Sequence, residues 1–154
     1  MVRPIPEGYR SITPYLSVQS AAAAIEFYTR AFGARERMRL PGAEGKLGHA
    51  ELEIGDSVVM LADPWPGGAS QPPGEGGTPI TLHLYVEDVD AAYARALAEG
   101  ATPEMPVQTH FYGDRGGTLR DPFGHLWHLS TYVEDVSPEE IARRMAAMLG
   151  GQGG

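Results

Sequence analysis

Seven residues, Ile80-Thr-Leu-His-Leu-Tyr-Val86, alternate between two kinds of position. A strand sends successive side chains to opposite faces, so Leu82, Leu84 and Val86 form one face and Thr81, His83 and Tyr85 the other. The first face reads as core, and the second carries groups able to bind a ligand or a metal. The pattern recurs near the start of the chain as Ile12-Thr-Pro-Tyr-Leu-Ser-Val18, where Ile12, Thr13, Leu16 and Val18 match Ile80, Thr81, Leu84 and Val86 without a gap. The chain is one unit written twice.

Each copy leads into a helix. In the first, Ser20 is the expected N-cap, a run of alanines favours helix, and Gly33 suits the C-terminal cap. Ile25, Tyr28 and Phe32 recur at spacings of three and four, which lays one face on a sheet. Strands are predicted at 35–40, 48–54 and 57–62, the last two joined by Gly55-Asp56. Residues 63–79 are rich in Gly and Pro and lack periodicity, so they form a linker or a loop over a site. Trp65 within it is either a lid residue or a surface tryptophan. The second unit repeats the order, with a helix from Asp88 to Gly100 that starts acidic and stops at glycine. Strands are predicted near 104–108, 117–120 and 125–131, the turn Asp121-Pro-Phe-Gly124 preceding the last. Ser137-Pro-Glu-Glu140 is a capping box. Ile141, Met145 and Met148 then give the tail helix an apolar stripe, to pack on the domain or on a partner subunit. We expect one α+β domain: a module at 10–63, a linker at 64–78, a second module at 79–132, a helix at 137–149 and a disordered tail at 150–154.

A chain of 154 residues can bury a core of this kind. Its formal charge of −8 argues against nucleic acid as a partner, because a phosphate backbone needs clustered Lys and Arg. The absence of cysteine excludes disulfides, thiolate metal sites and cysteine nucleophiles. The start, Met-Val-Arg-Pro-Ile-Pro, lacks the apolar run of a signal peptide, and no stretch is long enough to span a membrane, so the expected location is cytoplasmic. No nucleophile elbow, phosphate-binding glycine loop or dinucleotide fingerprint is present.

Three pieces resemble the vicinal oxygen chelate superfamily, which includes glyoxalase I, bleomycin-resistance proteins and extradiol dioxygenases. They are Ala24-Ile-Glu-Phe-Tyr with Ala31-Phe-Gly-Ala34, His83-Leu-Tyr-Val-Glu-Asp-Val-Asp90, and Asp121-Pro-Phe-Gly-His125. Tyr112-Gly-Asp-Arg115 and Tyr132-Val-Glu-Asp-Val-Ser137 are similar to the PhnB-like branch. The resemblance implies two βαβββ modules curving into a half-open, barrel-like mixed sheet around a cavity. It implies a homodimer, often with modules paired across subunits. It also implies a divalent metal held by one residue from the first and one from the last strand of each module.

Those four positions fall on Thr13, Met60, Thr81 and His128. Only His128 is a good ligand, since divalent sites of this kind use His, Glu, Asp or Gln. The usual glyoxalase site is therefore not expected, and no cofactor is expected with it. Strand parity puts Tyr15, Ser17, His49, Glu51, His83, Tyr85, His128 and Ser130 on the cavity-facing side. A relocated divalent metal would use His49, Glu51, His83 and His128, whereas the plainer reading has these groups lining a polar pocket. Arg115 either clamps a carboxylate or phosphate, or pairs with Asp114 or Asp121. Phe111 and Tyr112 could stack a flat ligand, while parity sends Trp127 and His125 away from His128. The leading expectation is a small polar or aromatic molecule bound by Thr13, Tyr15, Met60, Thr81, His83, Tyr85, Tyr112, Arg115 and His128. The alternatives are a metal-dependent lyase, isomerase or dioxygenase with the relocated His/Glu site, and a metal-free enzyme with His128 or His83 as general base.

Overall fold

The repeat in the sequence becomes a repeat in topology. A computed structural model describes residues 2–152. The first module runs β1 (Tyr15–Ser17), α1 (Ala21–Phe32), β2 (Arg35–Pro41), β3 (Leu47–Ile54) and β4 (Ser57–Ala62), in the sheet order β1-β4-β3-β2. The second runs β5 (Thr81–Tyr85), α2 (Val89–Ala98), β6 (Thr102–Thr109), β7 (Asp114–Arg120) and β8 (Leu126–Tyr132), in the order β5-β8-β7-β6. In each sheet the first strand pairs parallel with the last and the remaining pairs are antiparallel. The result is an α+β fold of two open mixed sheets. Among the described residues no ladder joins them, so the barrel-like sheet is present as two separate halves.

Several local expectations change. β1 is only three residues long, although the alternation covers seven. Pro14 has no N–H to give a ladder and serves only as acceptor, from Met60 N at 2.9 Å. Ile12 stays out, 87% exposed. Ser20 does not cap α1, because it sits in the left-handed region (φ 64°) with its side chain unused. The buried Asp63 carboxylate accepts from Ala21 N at 3.1 Å instead, and from Leu47 N at 2.7 Å. In the second module Thr131, near the end of β8, accepts from Val89 N at 2.9 Å. Gly33 does close α1 with φ 70°, a conformation that suits glycine.

The core lies where the helix-bearing sides of the two modules meet. Tyr28 and Phe32 of α1 pack on Trp127 of β8, with ring centroids 5.5 and 4.6 Å apart. Tyr28 and Trp127 are buried and Phe32 partly so, and fully burying a large apolar side chain contributes about 1.5–3 kcal/mol. Asp121 ties the modules together, accepting from Tyr28 Oη at 2.5 Å and Trp127 Nε1 at 2.8 Å. His125 Nε2 donates to the Ser17 carbonyl at 2.9 Å, a role far from any pocket on the His128 face. The sheet faces opposite this core stay open, and they carry the polar residues of interest.

Ser137 caps the tail helix α3 (Pro138–Gln152), its Oγ accepting from Glu140 N at 3.1 Å. The helix does not end at 149. Gly150 and Gly151 lie inside it, since glycine costs only about 1 kcal/mol in a helix and no stop signal precedes them. Residues 153 and 154 of the expected tail lie outside the described residues. Arg144 anchors α3 to the Phe111 carbonyl at 2.8 Å and to Glu134 at 3.0 Å, yet Met145, Met148 and Leu149 remain half exposed. Among the described residues no helix is long and apolar enough to cross a membrane.

Candidate functional site

Strand register lines up one row of side chains across each open face. On the first sheet the row is Tyr15, Met60, Glu51 and Met38. On the second it is His83, His128, Thr118 and Met105. Equivalent positions carry different chemistry, so the two faces are not equivalent sites.

On the second sheet three imidazoles gather. The His128 ring is 4.9 Å from His83 and 6.2 Å from His110, which stacks on Tyr112 at 5.1 Å. His83 in turn stacks on Tyr85 at 4.8 Å, and Tyr85 donates to the buried Asp114 carboxylate at 3.0 Å. His128 Nδ1 shares a hydrogen bond of 2.7 Å with Thr118 Oγ1, while its Nε2 is buried without a partner among the described residues, as is Ser130 Oγ. Burial, followed by the neighbouring charges of His83 and His110, holds the His128 pKa below its ordinary value, with Asp114 opposing. The ring is therefore neutral near pH 7 and offers both a lone pair and an N–H for hydrogen bonding. It lies beside Gly116, where an added Cβ would stand 2.7 Å from the Leu129 carbonyl and 2.9 Å from Nε2. Glycine is what leaves room for it.

On the first sheet the polar groups are joined into a chain. Tyr15 Oη and His49 Nδ1 are 3.0 Å apart, His49 Nε2 and Glu51 are 2.8 Å apart, and Tyr9 of the N-terminal segment donates to Glu51. Burial pushes the Glu51 carboxyl up, but the hydrogen bonds from Tyr9 and His49 outweigh it and hold its pKa below the ordinary value. Beside this chain a cleft of about 380 Å³ opens between Tyr15, Ser17, Asp63 and Trp65, which is 62% exposed.

Some predicted site residues come together and others do not. His83, Tyr85, Tyr112 and His128 share the second face, and Tyr15 and Met60 share the first. The register puts Tyr15, not Thr13, beside Met60, and His83, not Thr81, beside His128. Thr13 lines a crevice of about 260 Å³ between the modules with Leu82 and Trp127, and Thr81 is exposed opposite Leu126. Arg115 points to the helix side of β7, because it is out of phase with Thr118. It forms a bidentate pair with Asp90 of α2, both contacts 2.8 Å, rather than pairing with Asp114 or Asp121. The relocated metal set is split, His49 and Glu51 on one sheet and His83 and His128 on the other. Among the described residues no three His, Asp or Glu side chains are placed to hold a metal ion. Sequence reasoning missed His110, which sits in a loop where parity gives no signal. It also missed Thr118, which the repeat could have matched to Glu51.

Residues 11–129 match the model of the Glyoxalase/Bleomycin resistance protein/Dioxygenase superfamily. An uncharacterized protein of Mycobacterium bovis is 47% identical over 141 residues, which cover 89% of this chain and 93% of that one. Among solved structures, TioX from Micromonospora sp. ML1 aligns with a TM-score of 0.65 and 30% identity, over 80% of this chain and 99% of TioX. The PhnB protein from Bacillus cereus aligns at 0.63 and 22%, over 79% of this chain and 99% of its own, a likeness of fold.

Proposed function

Because the chain belongs to the glyoxalase/bleomycin resistance protein/dioxygenase superfamily, we propose that it binds a small polar or aromatic molecule on the histidine-lined face of its second sheet. One observation carries the reading. His128 is fixed through Nδ1 by Thr118, and its buried Nε2 has no partner among the described residues. An unpartnered buried polar atom costs about 1–3 kcal/mol, which a ligand hydrogen bond to Nε2 recovers. His83 and Tyr85 on one side and His110 and Tyr112 on the other supply flat walls for an aromatic ring.

The reading takes no resident metal. Thr13, Met60 and Thr81 do not fit a divalent ion at the family's positions, because neutral hydroxyls and a thioether are poor donors for it. Metal analysis of protein purified without a histidine tag should find less than one zinc, nickel, iron or manganese per chain. We also propose a cytoplasmic homodimer, the second copy covering half-exposed apolar residues of the open faces such as Met38, Leu40 and Met105. Light scattering should give twice the chain mass.

The binding test is a thermal-shift screen of small polar and aromatic compounds, followed by titration of each stabilising compound. His128→Phe should weaken binding about tenfold, the equivalent of one hydrogen bond of about 1.4 kcal/mol. Either of two results overturns the reading: no compound stabilises the protein, or binding is indifferent to His128.

A further inference from the structure

The geometry points to a reactive centre on the first sheet, beside the binding face proposed for the second. Glu51 and His49 prime the Tyr15 hydroxyl as a nucleophile toward a small activated carbonyl compound held in the cleft beside Trp65. The centre is independent of the ligand reading above, which concerns the other sheet.

The tautomer of His49 follows from its neighbours. Glu51 is ionised, so it only accepts, and His49 Nε2 must carry the hydrogen in their 2.8 Å contact. Nδ1 is then the bare lone pair, and the Tyr15 hydroxyl 3.0 Å away donates to it. A carboxylate orienting an imidazole, whose free nitrogen accepts from a hydroxyl, is the arrangement that activates a hydroxyl nucleophile. Tyr9, by donating to the same carboxylate, fixes Glu51 in place.

A ligand can reach this hydroxyl. Tyr15 is 46% exposed and forms a wall of the 380 Å³ cleft. Two residues along the same face, Ser17 also lines the cleft. Its Oγ is buried without a partner among the described residues, on a residue only 6% exposed, and can donate to the carbonyl oxygen of a bound ligand. Trp65 adds an aromatic side chain to the lining of the same cleft.

The step balances. A bond forms between Tyr15 Oη and the carbonyl carbon, and the bond from that carbon to its leaving group breaks. The phenolic proton passes to His49 Nδ1, giving an imidazolium beside the Glu51 carboxylate, and then to water. Tyr15 receives the acyl group and the leaving group departs with the electron pair.

Two other tyrosines serve as internal controls. Tyr85 and Tyr132 are 59% and 55% exposed, but they donate directly to Asp114 and Asp135, with no imidazole to take the proton. The probe is 4-nitrophenyl acetate, and peptide mass spectrometry reads the acetyl group at each tyrosine over time. Tyr15 should label roughly 10²-fold faster than Tyr85 or Tyr132, within the range of general-base assistance. His49→Ala should remove that advantage, and in the natural protein the excess rate of Tyr15 over Tyr85 and Tyr132 should fall away in acid, where the imidazole is protonated, a pH profile a structural role of His49 would not give. Glu51→Gln should slow labelling, with the melting temperature recorded for each variant. Equal labelling of the three tyrosines overturns the proposal, as does an unchanged Tyr15 rate in His49→Ala.

Discussion

Asp121 should be the residue whose loss most damages the fold. It is 3% exposed and accepts four hydrogen bonds: Tyr28 Oη at 2.5 Å, Trp127 Nε1 at 2.8 Å, Phe123 N at 2.9 Å and His125 N at 3.0 Å. In Asp121→Ala the N–H groups of Phe123 and His125, on half-buried residues, can turn to water. Tyr28 and Trp127 cannot, being 0% and 3% exposed. Two stranded buried donors cost about 1–3 kcal/mol each, so the variant should lose about 2–6 kcal/mol. That is a large part of the roughly 5–15 kcal/mol that holds a domain together. Urea unfolding followed by tryptophan fluorescence measures it, since Trp127 sits at the hub. With a slope of about 2 kcal/mol per molar, the midpoint should fall by about 2 M. Tyr28→Phe is the companion, because it removes one bond and leaves the carboxylate three donors, a loss of about 1 kcal/mol. If Asp121→Ala loses less than about 1 kcal/mol, or no more than Tyr28→Phe, the hub is not what joins the modules.

Two further outcomes concern the histidine face. Gly116→Ala should destabilise the protein by about 1–3 kcal/mol through overpacking, since the new Cβ meets the Leu129 carbonyl, and ligands of the second face should bind it more weakly; differential scanning calorimetry and titration check both. His128 has a folded-state pKa below its unfolded value of 6.5, chiefly through burial. Its contribution is therefore complete above about pH 6.5 and is lost as pH falls toward the lowered folded value, where the unfolded chain binds the extra proton. The melting temperature of the natural protein should thus fall more between pH 7.5 and 5.5 than that of His128→Gln, and equal slopes would count against a buried neutral ring.

What was legible in the sequence was periodic. Alternation located β3, β4, β5 and β8 and put His49, Glu51, His83 and His128 on open faces, because strand parity is a property of the backbone alone. The spacing of Ile25, Tyr28 and Phe32 likewise gave the inward side of α1. What was not legible depended on partners distant in the chain. Ser20 looks like a cap until Asp63, 42 residues further on from Ala21, takes the first free N–H. Arg115 looks like a ligand clamp until β7 turns it toward Asp90, 25 residues earlier. His110 has no strand parity to reveal it, and only the path of the loop before β7 brings it to His128. A shift along the strand also escaped: the ladders set Tyr15 and His83, two residues on from Thr13 and Thr81, beside Met60 and His128.

That shift bears on how a duplicated fold divides its work. At equivalent points in the two modules the rows read Tyr15–Met60–Glu51 and His83–His128–Thr118. The first row has a carboxylate two positions from His49, so hydroxyl, imidazole and carboxylate close into a chain. In the second row threonine replaces the carboxylate, and the position two residues before it is Gly116 rather than a histidine. The imidazole has moved instead onto β8 as His128, where Met60 stands in the first module. A neutral hydroxyl fixes the His128 ring without supplying charge, and the absent Cβ at Gly116 leaves it room but Nε2 no partner. One face thus runs its hydrogen bonds from a tyrosine hydroxyl through His49 to a carboxylate, while the other leaves a buried nitrogen for something else to satisfy. Exchanging the pair across the repeat, with Thr118→Glu, separates the two effects: a carboxylate beside His128 should raise its pKa, read by NMR titration of the ring, and weaken any ligand that depends on a neutral imidazole. A His128 pKa unmoved by Thr118→Glu would mean that the threonine contact does not govern the ring.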